Sequence, residues 1–203
     1  MNKVLILFAH PRFEKSKTNQ ALLCGIDQID GVTLNDLYEQ YPDFNIDVER
    51  EKELLLTHEV IIWHYPLYMY SAPAMLKQWM DWVLEYGWAH GSGGNALKDK
   101  IVFNALTAGG ARESYAAGQH NRFSIREFLI PFEQTGALCK MIYLPPFVVH
   151  GTHMLTHQQL AQQVALYHEL LRRLASGAFS IEPIRQYDYL NDWLLTGQGQ
   201  AKR

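Results

Sequence analysis

Three short, almost unbroken apolar runs constrain this chain more than any other feature: KVLILF at 3–8, EVIIWHY at 59–65 and IVFNAL at 101–106. A strand apolar at nearly every position, rather than at every second one, is covered on both faces. Two weaker strand signals complete the set. Val32 to Tyr38 alternates, and the stretch around Leu138 to Leu144 is stopped by Pro145 and Pro146, with Phe147 to His150 continuing in extended form. Helical periodicity lies between the runs. Helices are expected over about 18–29, in a short stretch through Leu56, over about 124–136 and over about 156–175, the last with Leu160, Val164, Leu171 and Leu174 inward. A further helix begins with Ser71 as its cap and Pro73 in its first turn. Its inward face is Met75, Leu76, Trp79, Met80 and Val83. Strands alternating with helices give an α/β/α three-layer domain around a five-stranded parallel sheet. The order expected for five strands in a chain this short is 2-1-3-4-5.

The 203 residues carry 48% apolar and 19% charged side chains, the balance of an ordinary globular domain. Residues 1–175 are read as that domain. Residues 176–203 are read as a tail whose QYDYLNDWLL stretch (186–195) is too aromatic for solvated coil, so that it docks on the domain or on a partner. The net charge of −3 gives no electrostatic case for nucleic acid. No apolar run approaches the ~20 residues of a membrane span, and Met1 to His10 lacks the charged start and cleavage site of a signal peptide. Cys24 and Cys139 belong to no CxxC pair and are read as reduced, buried thiols.

In a sheet of this order, ligands lie beyond the carboxyl ends of the strands, beside the first. Three loops meet there: His10–Asn19, Pro66–Ser71 and Thr107–Tyr115. The first offers Ser16, Thr18 and Asn19 ahead of a helix, where backbone amides favour an anion. The second offers Leu67, Tyr68, Met69 and Tyr70, flat or soft side chains suited to an aromatic ring. The third offers Thr107 and two glycines, where the backbone approaches a ring edge and donates. Tail, face and edge together describe flavin mononucleotide better than a bare phosphate or a sugar.

The segments HPRFEKSKTN, YPLYMYSAPAMLKQWMD and TAGG, in this order after strands one, three and four, resemble the flavodoxin-like NAD(P)H:quinone oxidoreductase family. YPDFNID and GWAHGSGGNAL resemble its short bacterial branch, which includes ancillary oxidoreductases of glutathione-gated potassium efflux systems. The resemblance spans roughly residues 3–175. It implies cofactor contacts from His10, Ser16, Lys17, Thr18 and Asn19, from Pro66, Leu67, Tyr68, Met69 and Tyr70, and from Thr107, Ala108, Gly109, Gly110 and Tyr115. Ala108 replaces a Thr of the family's turn, losing a hydroxyl but no backbone donor. The resemblance also implies a catalytic Tyr115 with His120 as its partner, the latter across a one-residue gap. It implies FMN, with FAD as the alternative, NAD(P)H as substrate and a quinone-like acceptor. A homodimer with Trp88 in the partner's pocket follows from the same likeness. The two unpaired thiols point to a cytoplasmic location, and the likeness implies a peripheral place at the inner face of the membrane if an antiporter is bound.

Other readings fit less well. His150, His153 and His157 have ligand-like spacing but no Cys or carboxylate beside them, so no metal is expected. GxSxG is absent, which removes a serine hydrolase. Strand three ends in His64, Tyr65 and Pro66 rather than the Asp of a phospho-acceptor domain. Two rivals remain: a regulatory subunit of a membrane potassium–proton antiporter with secondary redox activity, and a flavin-free binding module.

Overall fold

A computed structural model describes residues 1–200, with side chains through 196. Its sheet is parallel, in the order β2-β1-β3-β4-β5 (Val32–Asp36, Val4–Phe8, Val60–Pro66, Ile101–Thr107, Ile142–Tyr143). A sixth strand, β6 (Phe147–Val149), also pairs with β4. All residues of β1, β3 and β4 are buried, as continuous apolar runs require. Alternation along each strand divides the core in two. Leu5, Leu7, Ile61 and Trp63 face one layer, with Leu76 and Trp79. Val4, Ile6, Phe8 and Ile62 face the other, with Leu22, Leu170 and Leu171.

Several expected boundaries move, each for a local reason. The first helix, α1, is Lys17–Leu23, and Gly25 at φ 77 turns the chain into a short 3-10 segment, 26–28. The second strand stops at Asp36, whose carboxylate accepts from the amides of Tyr38 and Glu39 and starts α2 (Leu37–Gln40). Asp47 caps α3 (Val48–Thr57) in the same way. Ser71 is not the cap of α4 (Ala74–Val83); it pairs with Tyr68, and Pro73 holds the cap position. The helix expected over 124–136 is two, α5 (Ile125–Phe128) and α6 (Ile130–Leu138), because Pro131 cannot donate the amide a continuous helix needs. Leu138 therefore belongs to α6 rather than to a strand. The edge strand is split by Pro145 and Pro146 into β5 and β6.

Thr156 and Gln159 form a reciprocal capping box at the start of α7 (His157–Ser176), and Gly177 at φ 74 ends it. Leu171 and Leu174 are buried on its inner face with Leu166, Tyr167 and Leu170, while Leu160 and Val164 are half-buried. Cys139 is buried, but Cys24 is exposed, because α1 ends just before it. Beyond α7 come α8 (Ile181–Ile184) and α9 (Leu190–Gln200), with Ile184, Leu190 and Leu194 fully buried. The Leu190 amide donates to Pro146 O, and the Asn191 side chain bonds both the N–H and the C=O of Val148. Among the described residues, no helix is long and apolar enough to cross a membrane.

Candidate functional site

The rim above the carboxyl ends of β1, β3 and β4 is held by side chains that cross between loops. Ser16 caps α1: its Oγ accepts from the Asn19 amide at 3.3 Å and from Asn19 Nδ2 at 2.8 Å. Asn19 Nδ2 also donates to Thr107 Oγ1 at 3.2 Å, tying the first loop to the end of β4. The remaining Asn19 atom, Oδ1, lies 3.0 Å from His64 Nε2, and His64 Nδ1 lies 2.9 Å from the Tyr167 hydroxyl. Since Oδ1 can only accept, Nε2 carries the imidazole proton and Nδ1 accepts from Tyr167. Complete burial holds the His64 pKa down to about 3, with the neighbouring His10 adding to the effect, so this ring stays neutral.

The first and second loops also touch. His10 Nδ1 accepts from the Arg12 amide, which leaves the proton on Nε2, 3.4 Å from the Tyr68 hydroxyl. Burial lowers the His10 pKa, against the opposing pull of Glu14. Tyr68 and Ser71 exchange two backbone bonds of 3.0 Å around a two-residue turn. Both turn residues, Met69 (φ 46) and Tyr70 (φ 65), adopt the left-handed conformation that Asn and Gly favour. The turn projects Met69 into solvent, 89% exposed, with Tyr68 and Tyr70 at 45% on either side. Tyr70 stacks on Phe128 at 4.8 Å and donates to Asn121 Oδ1, while Asn121 Nδ2 donates to Ser114.

The third loop is fixed by three backbone bonds to the end of β6 and the residues just after it: Ala108 N–H to Val149 O, Gly151 N–H to Gly110 O and Thr152 N–H to Ala108 O. A Cβ at Gly110 would stand 2.8 Å from Ser114 Oγ and 3.0 Å from Cε2 of Tyr115. One at Gly109 would stand 3.2 Å from the His153 ring. Tyr115 is 9% exposed, and burial raises its pKa, so the phenol keeps its proton. Its ring lies 5.6 Å from that of His150. Both His150 nitrogens are buried without a partner, and burial, then Arg112, lowers its pKa to about 4.

The family model for the flavodoxin-like fold matches residues 2–171. The chain belongs to this family. It is 43% identical over 170 residues to the glutathione-regulated potassium-efflux system ancillary protein KefG of Serratia proteamaculans, covering 84% of this chain and 93% of the relative. Among solved structures, general stress protein 14 of Treponema denticola in complex with FMN superimposes with a TM-score of 0.81 at 37% identity, covering 85% of this chain and 99% of that one. An NADPH-quinone reductase from P. pentosaceus superimposes with a TM-score of 0.77 at 34% identity, covering 83% and 97%.

In this flavodoxin-like protein the three loops named from sequence stand on one rim. Thr18 and Asn19 are buried at the start of α1, and Lys17 is exposed beside them. Pro66 ends β3, and the Leu67 amide donates to Thr107 O at 2.8 Å. His120 is exposed and makes no hydrogen bond with Tyr115 among the described residues. The ring against Tyr115 is His150 instead, at the end of β6. Trp88 is half-buried, with Lys52 Nζ 5.5 Å over its ring. Sequence reading missed His64, Asn121 and Phe128 as ties of the rim. His64 had a signal, being a polar residue inside an apolar strand at its carboxyl end. Asn121 and Phe128 had none.

Proposed function

We propose that this chain binds FMN on the rim and carries two-electron transfer from NAD(P)H to a quinone-like acceptor. The observation that carries this reading is the convergence of three chemically different loops, cross-tied by Asn19–Thr107, His10–Tyr68 and Tyr70–Asn121. The rim fits the cofactor on its own geometry. The left-handed turn at Met69 and Tyr70 holds side chains out from the protein at a conformational cost, as functional sites do. The glycine pair leaves backbone N–H groups where a side chain would crowd His153 at Gly109 and Tyr115 at Gly110. When bound, FMN supplies the hydride-accepting and electron-donating chemistry.

The chain's own residues then have distinct tasks. The first-turn amides of Lys17 and Thr18, which no helical carbonyl can reach, would hold the phosphate together with His10 and Ser16. Leu67, Tyr68, Met69 and Tyr70 would form the wall against the ring, with Pro66 and Thr107 holding the backbone of Tyr68 and Leu67. The amides of Gly109 and Gly110 would supply donors to the ring edge of a bound flavin, where negative charge develops. Tyr115 holds a proton at its hydroxyl for the same charge. His120 serves as a second donor, reached from solvent.

Addition of FMN to the purified protein, followed by turnover with NAD(P)H and a quinone panel, tests the reading. Saturable binding with turnover is the expected result, with Tyr115→Phe about ten-fold slower and FMN affinity unchanged. A protein that stays colourless after added FMN would sink it. FAD as the bound flavin is the alternative, and mass spectrometry of the extracted flavin separates the two. The exposed Tyr86 (73%) and Trp82 (44%) support a homodimer, which sedimentation equilibrium would read directly.

A second reading is favoured by the 43% identical ancillary protein: service as a soluble subunit of a potassium-efflux antiporter, at the cytoplasmic face of the membrane. Both roles fit one molecule. Co-purification with such an antiporter, compared with turnover of the isolated chain, separates them.

A further inference from the structure

The loop that carries Tyr115 has little structure of its own. Between β4 and α5 it contains one 3-10 turn, Arg112–Ser114. Yet it is gripped from outside the sheet. Arg112, three residues before Tyr115, bonds Asp192 through two parallel contacts, Nη1 to Oδ1 and Nη2 to Oδ2, each 2.7 Å. Its guanidinium carbon lies 4.5 Å over the ring of Tyr189. Tyr189 meets His150 edge-on at 5.5 Å, and His150 meets Tyr115 at 5.6 Å. Tyr115 is therefore approached twice from the C-terminal segment, through its own chain at Arg112 and through the tilted and edge-on ring contacts behind it. That segment is a firm base, since Leu190 and Leu194 are fully buried and Asn191 is bonded to β6.

We propose that Arg112 and Asp192 are positioning residues for Tyr115, and that the start of α9 is a brace setting the geometry of the loop from Gly110 to Gly118. The inference rests on the reading of the rim as a flavin site with Tyr115 as proton donor. The family match ends at residue 171, so Arg112 lies within it and Asp192 beyond it. The pair is half-exposed, with side-chain exposures of 47% and 29%. An ion pair so open to water adds little to stability. A planar, two-point carboxylate–guanidinium contact nevertheless fixes direction, and a misplaced donor costs rate steeply. Its effect therefore falls on geometry more than on folding.

The test uses the full chain and the variants Asp192→Asn, Arg112→Gln and their double. Hydrogen exchange over residues 110–118 is measured without flavin. The rate of flavin reduction at saturating NAD(P)H is measured after loading with FMN. Expected in each single variant are faster exchange in that loop and a roughly ten-fold slower reduction. KM, FMN affinity and melting temperature stay near wild type, and the double variant is no slower than either single. Unchanged exchange overturns the brace. So does faster exchange with unchanged reduction, or single effects that simply add. If the wild-type chain binds FMN but is not reduced, or binds none, the functional reading fails and the exchange data alone decide whether the brace exists.

Discussion

Asn19 shows how one side chain joins fold to site. Its amide is fully used, donating to Ser16 and Thr107 and accepting from His64, so its orientation is fixed by three partners. The neutral His64 it requires has a measurable cost in acid. Its folded pKa, about 3, lies below the ordinary 6.5, so between those values the unfolded chain binds a proton that the native state does not. Stability therefore falls as pH drops through this window, by up to about 1.4 kcal/mol per pH unit for one group. In His64→Gln, chemical denaturation at a series of pH values should show a shallower slope by about one proton. A slope equal to wild type would contradict the assignment. Gly110 is as constrained. A methyl there meets Tyr115 and Ser114, so Gly110→Ala should displace the phenol and slow flavin reduction by about ten-fold or more, read by stopped-flow absorbance.

Among elements, the turn Tyr68–Ser71 carries the clearest mismatch between sequence and geometry. Left-handed Met69 is stabilised by nothing it touches, being almost wholly exposed. Met69→Asn should therefore raise the unfolding free energy of the flavin-free protein by about 0.5–1 kcal/mol, while weakening FMN binding in a fluorescence titration. A variant that binds FMN as well as wild type would remove Met69 from the ring wall. This turn also marks where sequence reading stops. The strands were legible because burial on both faces writes an unbroken apolar run, and from them the sheet order and three rim loops followed. The turn was not, because Met-Tyr carries none of the Asn-Gly signal that such turns usually show. The Asn19–His64–Tyr167 chain was hidden for another reason: its members lie 45 and 103 residues apart. The division of α5 from α6 was readable in Pro131, whereas the tie between Arg112 and Asp192 crosses 80 residues and leaves no local trace.

At the scale of the whole molecule, the sheet is closed by different means at its two faces and its far side. Both faces are covered by helices, and the rim is left for chemistry. Beyond β4 the protection is thinner, because the double proline leaves only the three residues of β6 level with the rim. There Asn191 takes a strand's place with a single side chain, satisfying both main-chain groups of Val148. Without that amide, Val148 would keep a buried donor and acceptor unpaired, which would loosen α9 from β6 and bare an edge where sheet-to-sheet polymerisation usually starts. Asn191→Leu should accordingly raise light scattering on gentle warming before the global melt, with a strand signal growing in the infrared. One carboxamide thus stands between a quiet sheet edge and a template for fibres.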